Sequence, residues 1–195
     1  MQVGDQIQIL ADHIFDEVKA RSKCYRREIR WFSYQIPDQD RVEPSPECYG
    51  MFQVLSASLE RVAKHFGTAT DLMADLTCRV SRKLDEMFIV DVVLENKFSA
   101  DGATQIDVDV RKGLKAVFEQ YSGPGKRLLQ QKSHHQLLQV CQLLNLARGS
   151  AILLKDSLVD PRQSENAREI LEEFTIDALT TEQAVKVLNQ RVDLQ

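Results

Sequence analysis

The sequence predicts an all-α fold, an elongated antiparallel helical bundle. Three observations carry this. Apolar residues recur at three- and four-residue steps along most of the chain, the spacing of one helix face. Turn residues are sparse: eight Gly and five Pro among 195 residues are too few for an all-β chain. The most apolar stretch, 133–158, keeps the helical step through Leu137, Val140, Cys141, Leu144, Ala147, Ala151, Leu154 and Leu158. A second set, Leu138, Leu143, Leu146, Ile152 and Leu153, covers its flanks and back. Such a helix needs neighbours on most sides, so it reads as the central one. Gln142, Asn145, Arg148 and Lys155 interrupt it too often for a bilayer span. Gly149 and Ser150 in its middle predict a close neighbouring backbone or a kink, since Gly costs ~1 kcal/mol against Ala inside a helix.

In chain order, the first helix is expected over 5–30, with Ile7, Leu10, Ile14, Val18, Tyr25 and Ile29 inward. Lys19, Lys23, Arg26 and Arg30 form a basic stripe on another face, with Arg27 at its margin and Trp31 directly after. These six residues are the sequence's candidates for partner binding: a basic, aromatic-flanked patch suits anionic lipid, nucleic acid or an acidic partner helix. The competing reading is a solvated face beside a buried aromatic cluster. A Pro-rich connector follows at 36–50, expected to be exposed and broken at Pro44-Ser45-Pro46. The second helix is placed at 51–66, with Phe52, Leu55, Leu59, Val62 and Phe66 inward and Gly67 as its C-terminal cap.

Thr68 or Thr70 starts a third helix, expected to reach about Lys97 with Leu72, Leu76, Val80, Leu84, Met87, Phe88, Val92 and Leu94 along it. The run MFIVDVVL is β-branched enough to suggest a strand, but the helical period continues on both sides. Residues 99–103 read as a turn. The fourth helix then carries Ile106, Val110, Leu114, Val117, Phe118 and Tyr121, its alternating IDVDV lasting only five residues. A sharp turn is expected at the SGPG of 122–125, a short helix at 164–174, and a last helix from Thr180 to about Arg191 with Val185, Leu188 and Val192 inward. Thr180 and Gln183 have capping-box spacing. The whole reads as a single helical region, 1–195, divisible into 1–98 and 99–195.

Composition is ordinary, 43% hydrophobic and 28% charged, which is too apolar for disorder. Net charge is −4, so no global electrostatic case for nucleic acid exists. Cys24, Cys48, Cys78 and Cys141 lie far apart without a CxxC pair and read as free thiols in a reducing compartment. The start, MQVGDQIQIL, lacks the basic region and apolar core of a signal peptide, so a cytoplasmic location is expected.

Catalytic and metal chemistry finds little to stand on. His13, His65, His134 and His135 form no HExxH and lie at no zinc spacing from a Cys. Asp107 with Asp109, and Glu172 with Glu173, read as solvated helix faces. No GxSxG or phosphate-cradling loop appears. No catalytic residue, metal or cofactor is therefore expected.

Four segments together resemble a known family. They are SKCYRREIRWFS at 22–33, LDEMFIVDVVLENKFSADGATQIDVDV at 84–110, LLNLARGSAILLKDSL at 143–158 and LTTEQAVKVLNQR at 179–191. Their order and spacing resemble the C-terminal region of the Rad-fifty-interactor/Tip-twenty family of vesicle tethers. That resemblance implies the end of a tethering-complex helical rod, peripheral on the endoplasmic reticulum membrane. It implies a role in Golgi-to-endoplasmic-reticulum retrograde transport, beside a Zeste-white-ten-like subunit and a third helical subunit. It also implies docking of an endoplasmic-reticulum SNARE N-terminal domain of the Sec-twenty type, helix against groove. The alternative is a peripheral membrane module using the basic stripe. The family's motifs fall on packing positions here, so the resemblance assigns no binding residue.

Overall fold

The computed structural model describes residues 3–38, 40–68, 70–121, 134–160 and 166–194. Among them the fold is all-α, and no strand forms. Phe98 and Arg191 make an isolated parallel bridge, in which the Phe98 N–H donates to the Gln190 carbonyl and the Val192 N–H to the Phe98 carbonyl. The expected turn at 122–125 lies outside the described residues.

The first helix breaks once at Ser22, giving α1 (Val3–Arg21) and α2 (Lys23–Arg27). The helical path persists across the break, since Ser22 N–H donates to Val18 and Arg26 N–H to Ser22. Ala11, Ile14, Val18 and Tyr25 are buried, and α1 packs on α3 and α4.

Helix α3 (Pro46–Phe66) starts five residues earlier than expected, at Pro46 instead of Met51. Proline suits the first helical position, where its missing N–H has no partner to lose. The connector therefore ends at Ser45, and Ser45 and Cys48 are buried, not exposed. Phe66, expected inward, is half-exposed at the far end. Gly67 closes α3 with φ +79°.

Helix α4 (Asp71–Met87) is capped by Thr70, whose hydroxyl accepts from Met73 N–H at 3.2 Å. It runs on without a turn as a π-helical segment, Phe88–Val93. The MFIVDVVL run is thus helical. Its widened turn, marked by the Leu94 N–H bond back to Ile89, puts Phe88, Val92 and Val93 all inside.

Residues 99–103 are the start of a helix and not a turn: Ser99 caps α5 (Ala100–Val108) by accepting from Gly102 N–H at 3.1 Å. The same path continues through a second π segment, Asp109–Lys115, into α6 (Ala116–Gln120), so IDVDV is also helical.

The central helix is two helices, α7 (His135–Leu144) and α8 (Arg148–Val159), bent by 113°. The bend lies upstream of Gly149, whose missing Cβ would meet nothing within 4 Å. Side chains terminate α7. The Asn145 amide donates to the Cys141 and Ala103 carbonyls, and Thr104 donates to the Asn145 oxygen. The buried Arg191 guanidinium donates to the Leu143 and Leu146 carbonyls and holds Asp193 with two further bonds. Arg191→Ala should leave those carbonyls unmet and destabilise the fold by about 2 kcal/mol, read as a lower urea midpoint. An unchanged midpoint would show that water replaces the guanidinium. Beyond the bend α8 is one-sided: Ala151, Leu154 and Leu158 are buried, while Ala147, Ile152 and Leu153 are exposed.

Two short helices close the chain, α9 (Ala167–Glu173) and α10 (Thr181–Leu188). Thr180 and Gln183 form the expected capping box. Helix α10 stops at Leu188, so Val192 lies past its end and is 43% exposed instead of inward. One contiguous apolar core runs from Ala11 to Leu188. No single helix among the described residues is long and apolar enough to cross a membrane.

Candidate partner-docking surface

The structure separates the six candidate residues into three groups. Trp31 is 1% exposed, packed 5.3 Å from the Tyr25 ring and 5.4 Å from Phe98 (centroid distances), so it serves the core. Lys19 and Arg26 both reach the same carboxylate, Asp91 of the first π segment, each at 3.1 Å, which offsets one of their two charges. Arg26 is further fixed by its Nε bond to Ser22 at 2.9 Å. Lys23, Arg27 and Arg30 stand exposed and make no ion pair with another described residue. Arg21, outside the stripe pattern, joins them, likewise exposed and without an ion pair among the described residues, as does Phe32 of the aromatic flank, 57% exposed. Helical phase explains the miss, because Arg21 lies off the i, i+4 series. Phe32 stands in the 3₁₀ turn Trp31–Ser33, after α2 has ended.

The polar interior is structural. Asp109, expected on a solvated face, is fully buried. One carboxylate oxygen accepts from Ser45 N–H at 2.6 Å and the Gln105 amide at 2.9 Å; the other accepts from the Tyr25 and Ser45 hydroxyls at 3.0 and 2.8 Å. Four donors from three elements thus meet on one side chain. Burial raises the Asp109 carboxyl above its ordinary range, against the pull of those bonds. Cys48 beside it is pushed up to about 12 by burial, and Cys141 is raised further, so both remain neutral thiols and poor nucleophiles.

The two adjacent histidines diverge. His134 is buried, in a left-handed conformation, with Nδ1 against Asp85. His135 meets Asp177 at 2.6 Å, where the Gln139 amide also binds. Glu172 pairs with Arg168 on an exposed face. Among the described residues, no group of three or more His, Cys, Asp or Glu could hold a metal ion.

Two stretches of outer surface stand out among the described residues: the basic segment 21–32, and the apolar back of α8 with Leu153 at 68% and Val159 at 58% exposure. A sequence profile of the RINT-1/TIP-1 family matches residues 2–191. The chain belongs to the RINT-1/TIP-1 family. A RINT1-like protein of Drosophila melanogaster is 31% identical to it over 189 residues, 95% of this chain. That alignment takes in 25% of the relative, so the chain spans about a quarter of its length. No solved structure matches.

Within this RINT-1/TIP-1 chain, the four segments that carry the resemblance fall at points of structural closure. The Asn of 143–158 ends α7 at the bend, and the Arg of 179–191 donates to the same helix end. The aromatic end of 22–33 lies under the Ser99 cap of 84–110, whose hydroxyl donates to the Trp31 carbonyl at 3.2 Å.

Proposed function

We propose that this chain is a non-enzymatic helical module of a vesicle-tethering subunit, the C-terminal part of its rod. It works at the cytosolic face of the endoplasmic reticulum in Golgi-to-endoplasmic-reticulum retrograde transport. Its partners are the N-terminal helical domain of an endoplasmic-reticulum SNARE of the Sec-twenty type and other tether subunits, Zeste-white-ten-like among them. The family match over 2–191 is the observation that carries this reading. The interior supports it: the buried polar groups of the Asp109 node are spent on holding helices together, which leaves the outer faces for adhesion.

The test is retention of purified endoplasmic-reticulum SNARE cytosolic domains and tether subunits on the immobilised chain. At least one member of either class should be retained at micromolar concentration. Retention of none, with the chain shown folded by circular dichroism, contradicts the reading.

A further inference from the structure

We propose that the exposed residues Lys23 and Arg27 of α2, with Arg30 and Phe32 just beyond its end, form a docking surface for an acidic amphipathic helix of a partner protein. The inference deepens the docking role proposed above and rests on it for its biological setting only.

The charge arrangement is the first ground. Acidic groups outnumber basic ones in this chain, 29 to 25. On other helix faces exposed cations find carboxylates one turn away, as Lys64 does with Glu60, Arg111 with Asp107, Arg168 with Glu172 and Lys186 with Glu182. In segment 19–30 the inner pair, Lys19 and Arg26, is held by Asp91. The outer cations, Arg21, Lys23, Arg27 and Arg30, are exposed and make no ion pair with another described residue. Their charge is available, and Asp91 offsets one of the two charges on the inner edge of the patch.

Geometry and rigidity are the second. Lys23 and Arg27 lie four residues apart on one helix, a rise of about 6 Å. That spacing meets two carboxylates one turn apart on a partner helix. The underside of the segment is locked by Ser22, Tyr25, Ile29 and Trp31, all buried, so the patch is presented on a fixed frame. Phe32 supplies the apolar anchor beside it, and aromatic and Arg side chains are enriched where binding energy concentrates.

The chemistry favours a protein over an anionic bilayer. Three of the four outer cations are arginines, whose planar forks match carboxylates in two-point contact. Exposed Glu28 interrupts the positive field, hydrogen-bonded to Cys24. An alternating sign pattern sets register with a matching partner, whereas a bilayer rewards uniform positive charge.

The test compares the full chain with Lys23→Glu/Arg27→Glu/Arg30→Glu and with Phe32→Ala. The sites are exposed, so circular dichroism should be unchanged in both. The probes are a synthetic amphipathic helix with Leu on one face and Glu pairs one turn apart on the other, its Gln counterpart, and vesicles of 70% phosphatidylcholine and 30% phosphatidylserine. Expected are binding of the Glu peptide over the Gln peptide, at least tenfold weaker binding by the triple variant, a several-fold loss in Phe32→Ala, and a wild-type affinity that falls steeply with salt. Equal affinity of wild type and triple variant for the Glu peptide overturns the proposal. So does patch-dependent flotation on the vesicles without peptide binding, which assigns the face to a membrane. Retention of no SNARE or tether subunit in the earlier test leaves these outcomes readable, so the two failures are distinct.

Discussion

Asp109→Ala is expected to destabilise the fold by about 3–5 kcal/mol, because it leaves the Ser45 N–H, the Ser45 and Tyr25 hydroxyls and the Gln105 amide buried without an acceptor. For a chain of this size that is a fall in melting temperature of about 10 °C. The effect should be largest at the start of α3, where Ser45 is tied to Asp109, and hydrogen exchange there should rise first. A loss below about 1 kcal/mol would mean that the connector is held by packing alone. The pH dependence has a definite sign. Burial raises the folded-state value of Asp109, so the folded chain binds its proton more tightly than the unfolded chain. Its contribution to stability is fully present below the ordinary carboxyl range, about pH 4, and is lost as pH rises through the raised folded value. The stability of wild type relative to Asp109→Asn should therefore decline with rising pH above about 4. A difference that grows with pH would show that the four donors outweigh burial.

Gly102→Ala is expected to cost about 2–3 kcal/mol. An added Cβ would overlap the Trp31 carbonyl oxygen and lie 3.2 Å from its carbon. Backbone cannot rotate out of the way as a side chain can. The Ser99-capped end of α5 would have to move off the Trp31 turn, loosening the Tyr25, Trp31 and Phe98 ring cluster. Near-ultraviolet circular dichroism of Trp31 should weaken along with thermal stability. An unperturbed Trp31 signal with wild-type stability would contradict the close approach. Gly113 faces a different obstacle, the Phe52 ring, which can swing, so Gly113→Ala should cost less.

Periodicity was enough to place most of the helices, including the two β-branched runs, because the helical step persisted on either side of MFIVDVVL and IDVDV. Termini were readable where the cap chemistry is local, as at Thr70, Gly67 and Thr180. Ser99 escaped because its cap sits in a sequence that resembles a turn, and Pro46 because a proline stops a helix or starts one depending on what precedes it. The bend after α7 falls a few residues upstream of Gly149, where a kink was one of the two expected outcomes; its position was not legible, because it depends on Asn145 reaching Ala103 and on Arg191, 46 positions downstream of Asn145, reaching the Leu143 and Leu146 carbonyls. Asp109 did leave a signal, since it stands three residues after inward Ile106 and one before inward Val110, on the buried face. The basic stripe was legible as charge but not as surface. Asp91, which pairs with both Lys19 and Arg26, arrives from another helix, and Trp31 is claimed by an aromatic cluster assembled from distant segments.

That the outer helical faces do the work and the interior only holds them in place is tested most directly by a structure of the chain bound to a SNARE cytosolic domain or a tether subunit. The account predicts a partner helix lying against Lys23, Arg27, Arg30 and Phe32, with the Asp109 node and the α7–α8 bend unchanged. A complex in which those four side chains face solvent while the partner enters an opened interior would contradict it.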